Sequence, residues 1–242
     1  MKPLEIKHRV IGGGEPLICV PVVEQDAQSV IREITYLSQS TADMIEWRVD
    51  AFRDFTDYNA IRSVFEAVAP LLGEKLFLYT FRTAHQGGMA QVKAEQLDDL
   101  HDLAAESGCV DLVDLEFFEE DRPLHKIKRL REMGVSVIAS HHDFEQTPSP
   151  EVMKMLLEKM CAGGADIVKL AVMPQNYKDV LNLLDVTAQF REENPDTPVI
   201  TMSMGSLGGI SRISGETFGS CVTFGAHEKP SAPGQFAMKE LR

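Results

Sequence analysis

Cysteine is sparse in this 242-residue chain. Its four residues, Cys19, Cys109, Cys161 and Cys221, are scattered with no C-x-x-C spacing. That pattern excludes a zinc ribbon or a disulfide framework and fits a reducing cytoplasm. Positive charge is in deficit, with 24 Lys plus Arg against 37 Asp plus Glu and a formal net charge of −13. A general nucleic-acid binder would show a basic face, so that class is set aside. No apolar run reaches the ~18 residues of a membrane span. Met1 to Val10 carries charge throughout and lacks the apolar centre of a signal peptide, so no membrane partner is expected. Linkers, low-complexity stretches and sequence repeats are missing as well, and one domain over 1–242 is expected.

What is present is a series of eight short apolar, β-branched runs: Leu17–Val23, Met44–Asp50, Lys75–Arg82, Val110–Phe117, Ser136–Asp143, Asp166–Met173, Pro198–Gly205 and Ser220–Ala226. Most are almost continuously apolar, as parallel strands covered by helices are. Amphipathic helical spacing fills the gaps, as at Ala27, Val30, Ile31 and Ile34, after the Ser149-Pro150-Glu151 start signal, and over Asn176 to Phe190. Strand starts about 22–35 residues apart match βα units, and eight of them predict a (β/α)₈ barrel. A flavodoxin-like sheet is the alternative. Leu4–Val10 followed by Gly12-Gly13-Gly14 reads as an extra strand and turn ahead of the first unit.

In such a barrel the active site forms at the C-terminal ends of the strands. Alternation in Ile167-Val168-Lys169-Leu170-Ala171-Val172 points Lys169 into the barrel. A desolvated lysine favours its neutral amine, which attacks carbonyls to form an imine. The competing reading is a structural ion pair with Glu46, Asp114 or Glu116. His142 shares its face with Ser140 on the preceding strand and is the natural proton carrier, while His141 takes the other face. Arg48, Arg82 and Arg212 offer forks for a carboxylate, or equally for nearby acidic side chains. Gly205–Gly209 reads as a phosphate-binding turn or as a plain tight turn, and Ser231-Ala-Pro-Gly-Gln235 as a candidate lid or an ordinary turn.

These residues fall in an order that resembles the type I 3-dehydroquinate dehydratases: ICVP at 18–21, EWRVD at 46–50, TFRT at 80–83, VDLE at 113–116, SHHDF at 140–144, VKLAVMPQ at 168–175, ITMSMG at 200–205, ISR at 210–212, GETFGS at 215–220, TFGA at 223–226 and SAPGQ at 231–235. The resemblance spans nearly the whole chain. It implies a (β/α)₈ barrel with an N-terminal hairpin closing its base, usually a homodimer, acting on 3-dehydroquinate with no metal or organic cofactor. It makes Lys169 the imine lysine and His142 the general base and acid. Arg212 would hold the substrate carboxylate, and Glu46, Arg48, Arg82, Ser231 and Gln235 would bind the ring hydroxyls and the closed lid.

Three departures stand out. Gln86 replaces the glutamate that such proteins usually aim at the histidine. Pro21 stands where some members place a serine on the substrate. The last helix usually runs beyond the position of Arg242, so weaker dimer or lid support is expected. Two rival readings remain: a class I aldolase, which also uses a lysine imine but needs a phosphate site such as Gly205–Gly209, and a catalytically inactive barrel with Gln86 as the lesion.

Overall fold

The computed structural model describes residues 4–241. Met1–Pro3, part of the charged N-terminal stretch, and Arg242 lie outside the described residues. The chain opens with a hairpin of β1 (Leu4–Ile6) and β2 (Arg9–Ile11), paired antiparallel with Leu4 opposite Ile11 and Ile6 opposite Arg9. Its turn is Lys7-His8, with φ of 46° and 65°. A two-residue hairpin turn of type I′ needs positive φ at both central residues. The expected single strand turning at Gly12–Gly14 is thus corrected. The turn comes earlier, because this register delivers Ile11 (1% exposed) into the base of the barrel, and the glycines carry the chain onward from there.

Eight parallel strands follow: β3 (Leu17–Val22), β4 (Met44–Arg48), β5 (Leu76–Thr80), β6 (Leu112–Glu116), β7 (Ser136–Asp143), β8 (Ile167–Val172), β9 (Val199–Ser203) and β10 (Val222–Phe224). Every expected apolar run contributes one. β3 to β9 lie side by side in chain order and β10 pairs back onto β3. The ring closes where the Cys221 N–H donates to the Val199 carbonyl at 2.8 Å. The outer layer comprises α1 (Ala27–Ser38), α2 (Tyr58–Val68), α3 (Ala94–Glu106), α4 (Pro123–Glu132), α5 (Pro150–Ala162) and α6 (Tyr177–Glu193). Two short helices, α7 (Gly209–Ile213) and α8 (Gly215–Phe218), follow β9. Helix starts obey the sequence signals. Ser149 Oγ accepts from the Val152 N–H ahead of Pro150, and Asn176 Oδ1 accepts from the Lys178 and Asp179 N–H groups.

Strand alternation divides the apolar residues into two cores. Val168, Leu170 and Val172 join the outer one, between strands and helices. Ile167 and Ala171 join the inner one with Met44, Leu78, Leu112, Ile138 and Ile200. The inner face is therefore apolar towards the base. Towards the C-terminal ends the same face carries buried Glu46, Asp114, Glu116, Ser140 and Lys169. A layer of buried charge over a sealed apolar floor is where the fold concentrates chemistry.

Candidate active site

Glu46 and Lys169 of this layer line a cavity of about 440 Å³, counting its mouth. Glu46 and Arg48 come from β4, and Arg82 from the residues just beyond β5. His142 and Lys169 come from β7 and β8. Gln86 and Phe144 flank His142, while Met202, Met204 and Phe224 form an apolar wall. Ser231 and Gln235 reach the cavity from the loop after β10. Seven of the eight expected site residues meet here. The eighth, Arg212 on α7, does not line the cavity but lies next to it, its guanidinium 4.0 Å from the sulfur of the wall residue Met202.

The charges are paired almost completely. Lys169 Nζ donates to Asp114 Oδ2 at 2.9 Å and lies 4.5 Å from the centre of the Phe224 ring. Of the three acids considered for Lys169, the contact goes to Asp114. Arg82 grips Asp114 at 2.8 Å and Glu116 at 2.9 Å. Ser140 Oγ accepts from Arg82 at 3.1 Å and donates to Asp114 Oδ1 at 2.5 Å. Arg48 makes a two-pronged contact with Asp50 at 2.8 and 2.7 Å, and Glu46 accepts from Thr80 Oγ1 at 2.8 Å. Burial alone would raise the Asp114 carboxyl, but Arg82 and Lys169 outweigh it and hold it well below the usual carboxylate range. Burial likewise opposes charge on Arg82 and Arg48, and their carboxylate partners keep both above the ordinary arginine value. Of the two readings offered for these forks, Arg48 and Arg82 take the nearby acids.

Arg212 differs. Among the described residues no carboxylate contacts it, and its Nε has no partner. Its Nη2 donates to the Pro233 carbonyl at 3.0 Å. Desolvation without a counter-ion pulls its pKa down to about 10. A buried guanidinium lacking an anion is primed for one.

His142 is governed by Gln86. Gln86 Oε1 accepts the His142 backbone N–H at 2.9 Å and lies 3.0 Å from the ring Nδ1. A backbone N–H can only donate, so the amide oxygen must face it. Nδ1 must then carry the proton, which leaves Nε2 as the basic atom. Loss of hydration, then Arg82 and Lys169, hold the imidazole well below the ordinary histidine range, with Asp114 a partial offset. Gln86 owes its place to a 3₁₀ turn, Ala84–Gln86, that ends at Gly87. Gly87 has φ of 82°, and a Cβ there would collide with Phe144.

The lid tip is tied to itself and to its surroundings. The Ser231 N–H donates to Gln235 Oε1 at 2.8 Å, and Gln235 Nε2 donates to Ser231 Oγ at 3.0 Å. The Pro233 carbonyl also accepts the Gly205 N–H at 3.2 Å. A Cβ on Gly234 would strike the Gly205 carbonyl. The Gly205 turn therefore serves as the lid's seat, which favours the plain-turn reading over a phosphate site.

Residues 18–242 match the family model described as type I 3-dehydroquinase. The chain is 42% identical to the 3-dehydroquinate dehydratase of Syntrophotalea carbinolica over all of this chain and 96% of that one. The enzyme of the same name from Listeria monocytogenes shares 42% over the same proportions. The chain belongs to the type I 3-dehydroquinase family. Among solved 3-dehydroquinate dehydratases, that of Geobacillus kaustophilus superposes with a TM-score of 0.96 at 36% identity, covering 100% of this chain and 94% of that one. The Clostridium difficile enzyme, solved with covalent modified comenic acid, gives 0.95 at 38% identity, covering 99% and 95%.

As a 3-dehydroquinase, the chain is a carbon–oxygen lyase. Two partners in this 3-dehydroquinase site were not singled out from sequence. Asp114 was legible only as one of three candidates for Lys169, since alternation in Leu112-Val113-Asp114-Leu115-Glu116 turns Glu116 inward as well. Asp50 was not, because its grip on Arg48 depends on a 3₁₀ turn, Val49–Ala51, that no alternation reveals.

Proposed function

We propose that this 3-dehydroquinase converts 3-dehydroquinate to 3-dehydroshikimate through an imine on Lys169, the third step of the shikimate route to chorismate and the aromatic amino acids. One observation carries the reading: a buried lysine and a histidine with a free basic Nε2 share one cavity beside an arginine that lacks an anion. The covalently modified acid in the Clostridium difficile relative supports covalent chemistry in a site of this kind.

The steps follow from the residues. Lys169 sheds a proton and its amine adds to the ketone; loss of water gives an iminium. The positive charge stays at the lysine nitrogen, where Asp114, held ionised by Arg82, already compensates it. The iminium acidifies the neighbouring carbon. His142 Nε2 takes that proton, and the electron pair moves into an enamine. The imidazolium then protonates the tertiary hydroxyl, which departs as water and regenerates the conjugated iminium. Hydrolysis frees the enone and returns Lys169. Arg212 holds the substrate carboxylate. Glu46, Arg48 and Arg82 face the ring hydroxyls, with Ser231 and Gln235 above them. The methionine and Phe224 wall keeps water from the imine.

The test is direct turnover: 3-dehydroquinate should yield the ultraviolet absorbance of a conjugated enone, and Lys169→Ala should not. Absence of that signal from the parent protein would defeat the reading. We further propose a cytoplasmic homodimer. The four free cysteines fit a reducing compartment. Exposed Val152 and Met155 on α5 and Tyr177 and Leu181 on α6 offer an apolar face for a second copy.

A further inference from the structure

The lid runs from Ala226 to Ala237, whose backbones pair at its neck. Only its tip meets the cavity. Its first arm lies against α1 instead. There His227 stacks on Tyr36, with ring centroids 4.0 Å apart and planes 17° from parallel. Its Nδ1 lies 2.7 Å from Glu33 Oε1. Two residues on, Lys229 Nζ contacts both Glu24 oxygens at 2.8 and 3.0 Å. None of these side chains lines the cavity, and the chemistry above uses none of them.

We propose that His227, clasped by Tyr36 and Glu33, is a latch that holds the lid shut over bound substrate. It is a positioning residue, and it acts through Ser231, Gln235 and the Pro233 carbonyl that steadies Arg212. The inference rests on the proposed function. Glu33 and Tyr36 lie three residues apart and so share one side of α1. Tyr36 is 51% exposed even with His227 upon it. An aromatic ring on the solvent side of a helix adds little to the core, so the contact serves the loop. At the tip, Pro233 is held by two hydrogen bonds, from Gly205 and Arg212. The balance between open and closed lid thus depends on the arm. Apparent affinity falls with the fraction of molecules whose lid is closed. No latch side chain lines the cavity, so loosening the latch should act on KM and spare the bond-breaking steps.

The test compares His227→Ala with the parent in steady-state turnover and in cleavage after exposed Glu228 by a glutamyl endopeptidase. KM should rise about tenfold, equivalent to about 1.4 kcal/mol, with kcat within about twofold of the parent, since the latch contributes binding only. Cleavage should quicken, and saturating substrate should restore protection. His227→Phe keeps the stack without the Glu33 contact and should recover part of the affinity. Glu33→Ala added to His227→Ala should cost less than the product of the two single effects, because the partners form one contact. An unchanged KM and an unchanged cleavage rate in His227→Ala would overturn the latch while parent turnover leaves the proposed function standing. A parent without turnover would defeat the function itself, and the cleavage comparison would still report on the latch.

Discussion

Replacing His142 with alanine removes the free Nε2 and should lower dehydration by about 10²–10⁴-fold, the usual contribution of a positioned acid–base group. Imine formation should persist. His141→Ala should leave turnover near the parent, because His141 faces outward and packs on Phe118 with centroids 5.3 Å apart. A larger loss at His141 would reverse the assignment of strand faces. Arg212→Ala should raise KM by the loss of a charge-assisted contact of about 1.5–3 kcal/mol, with kcat affected less. An unchanged KM would put the substrate carboxylate elsewhere. Gln86 gives the sharpest residue-scale test. Its neutral amide fixes the tautomer but adds no charge to favour imidazolium. A carboxylate there favours the charged ring and raises its pKa, at about 1.4 kcal/mol per unit. In Gln86→Glu the limb of the pH–rate profile set by His142 should therefore move to higher pH. Turnover should also rise, since imidazolium forms along the path. A profile matching the parent from about pH 5 to 9, a window that spans the free-histidine range, would remove Gln86 from the site.

Elements were legible in proportion to how local their physics is. All eight barrel strands could be read because each is an apolar run bounded by helical periodicity. Lys169 could be placed inward because a strand alternates with period two. Its partner could only be narrowed to three acids, since choosing Asp114 depends on which strands become neighbours and in what register. The arginines show the same limit. Their residue type announces anion binding, but whether the anion is Asp50, Glu116 or substrate depends on contacts between distant segments. The hairpin turn was misplaced because glycine is the usual marker of positive φ, whereas here Lys7 and His8 adopt it. That register matters for stability. Ile11→Ala should open a void in the base of the barrel and cost about 2–5 kcal/mol in chemical or thermal unfolding, with KM unchanged. A loss well under 1 kcal/mol would mean that the base collapses to fill the space or that the hairpin adds little.

At the scale of the whole molecule the charge balance looks unpromising for an anionic substrate, with a net of −13. The barrel answers this by arrangement. Its inner layer pairs Arg48, Arg82 and Lys169 with acids, and Arg212 is left without one beneath a lid that covers it. The same layer sets Asp114 against the Lys169 nitrogen, and the central chemical claim of the proposed function is a covalent bond at that nitrogen. Borohydride added to the protein while it turns over 3-dehydroquinate, followed by peptide mass mapping, tests it most directly. The reduced substrate adduct should sit on Lys169, with activity lost in step with labelling. An adduct on Lys75 or Lys178, or continued turnover with no adduct at all, would contradict it.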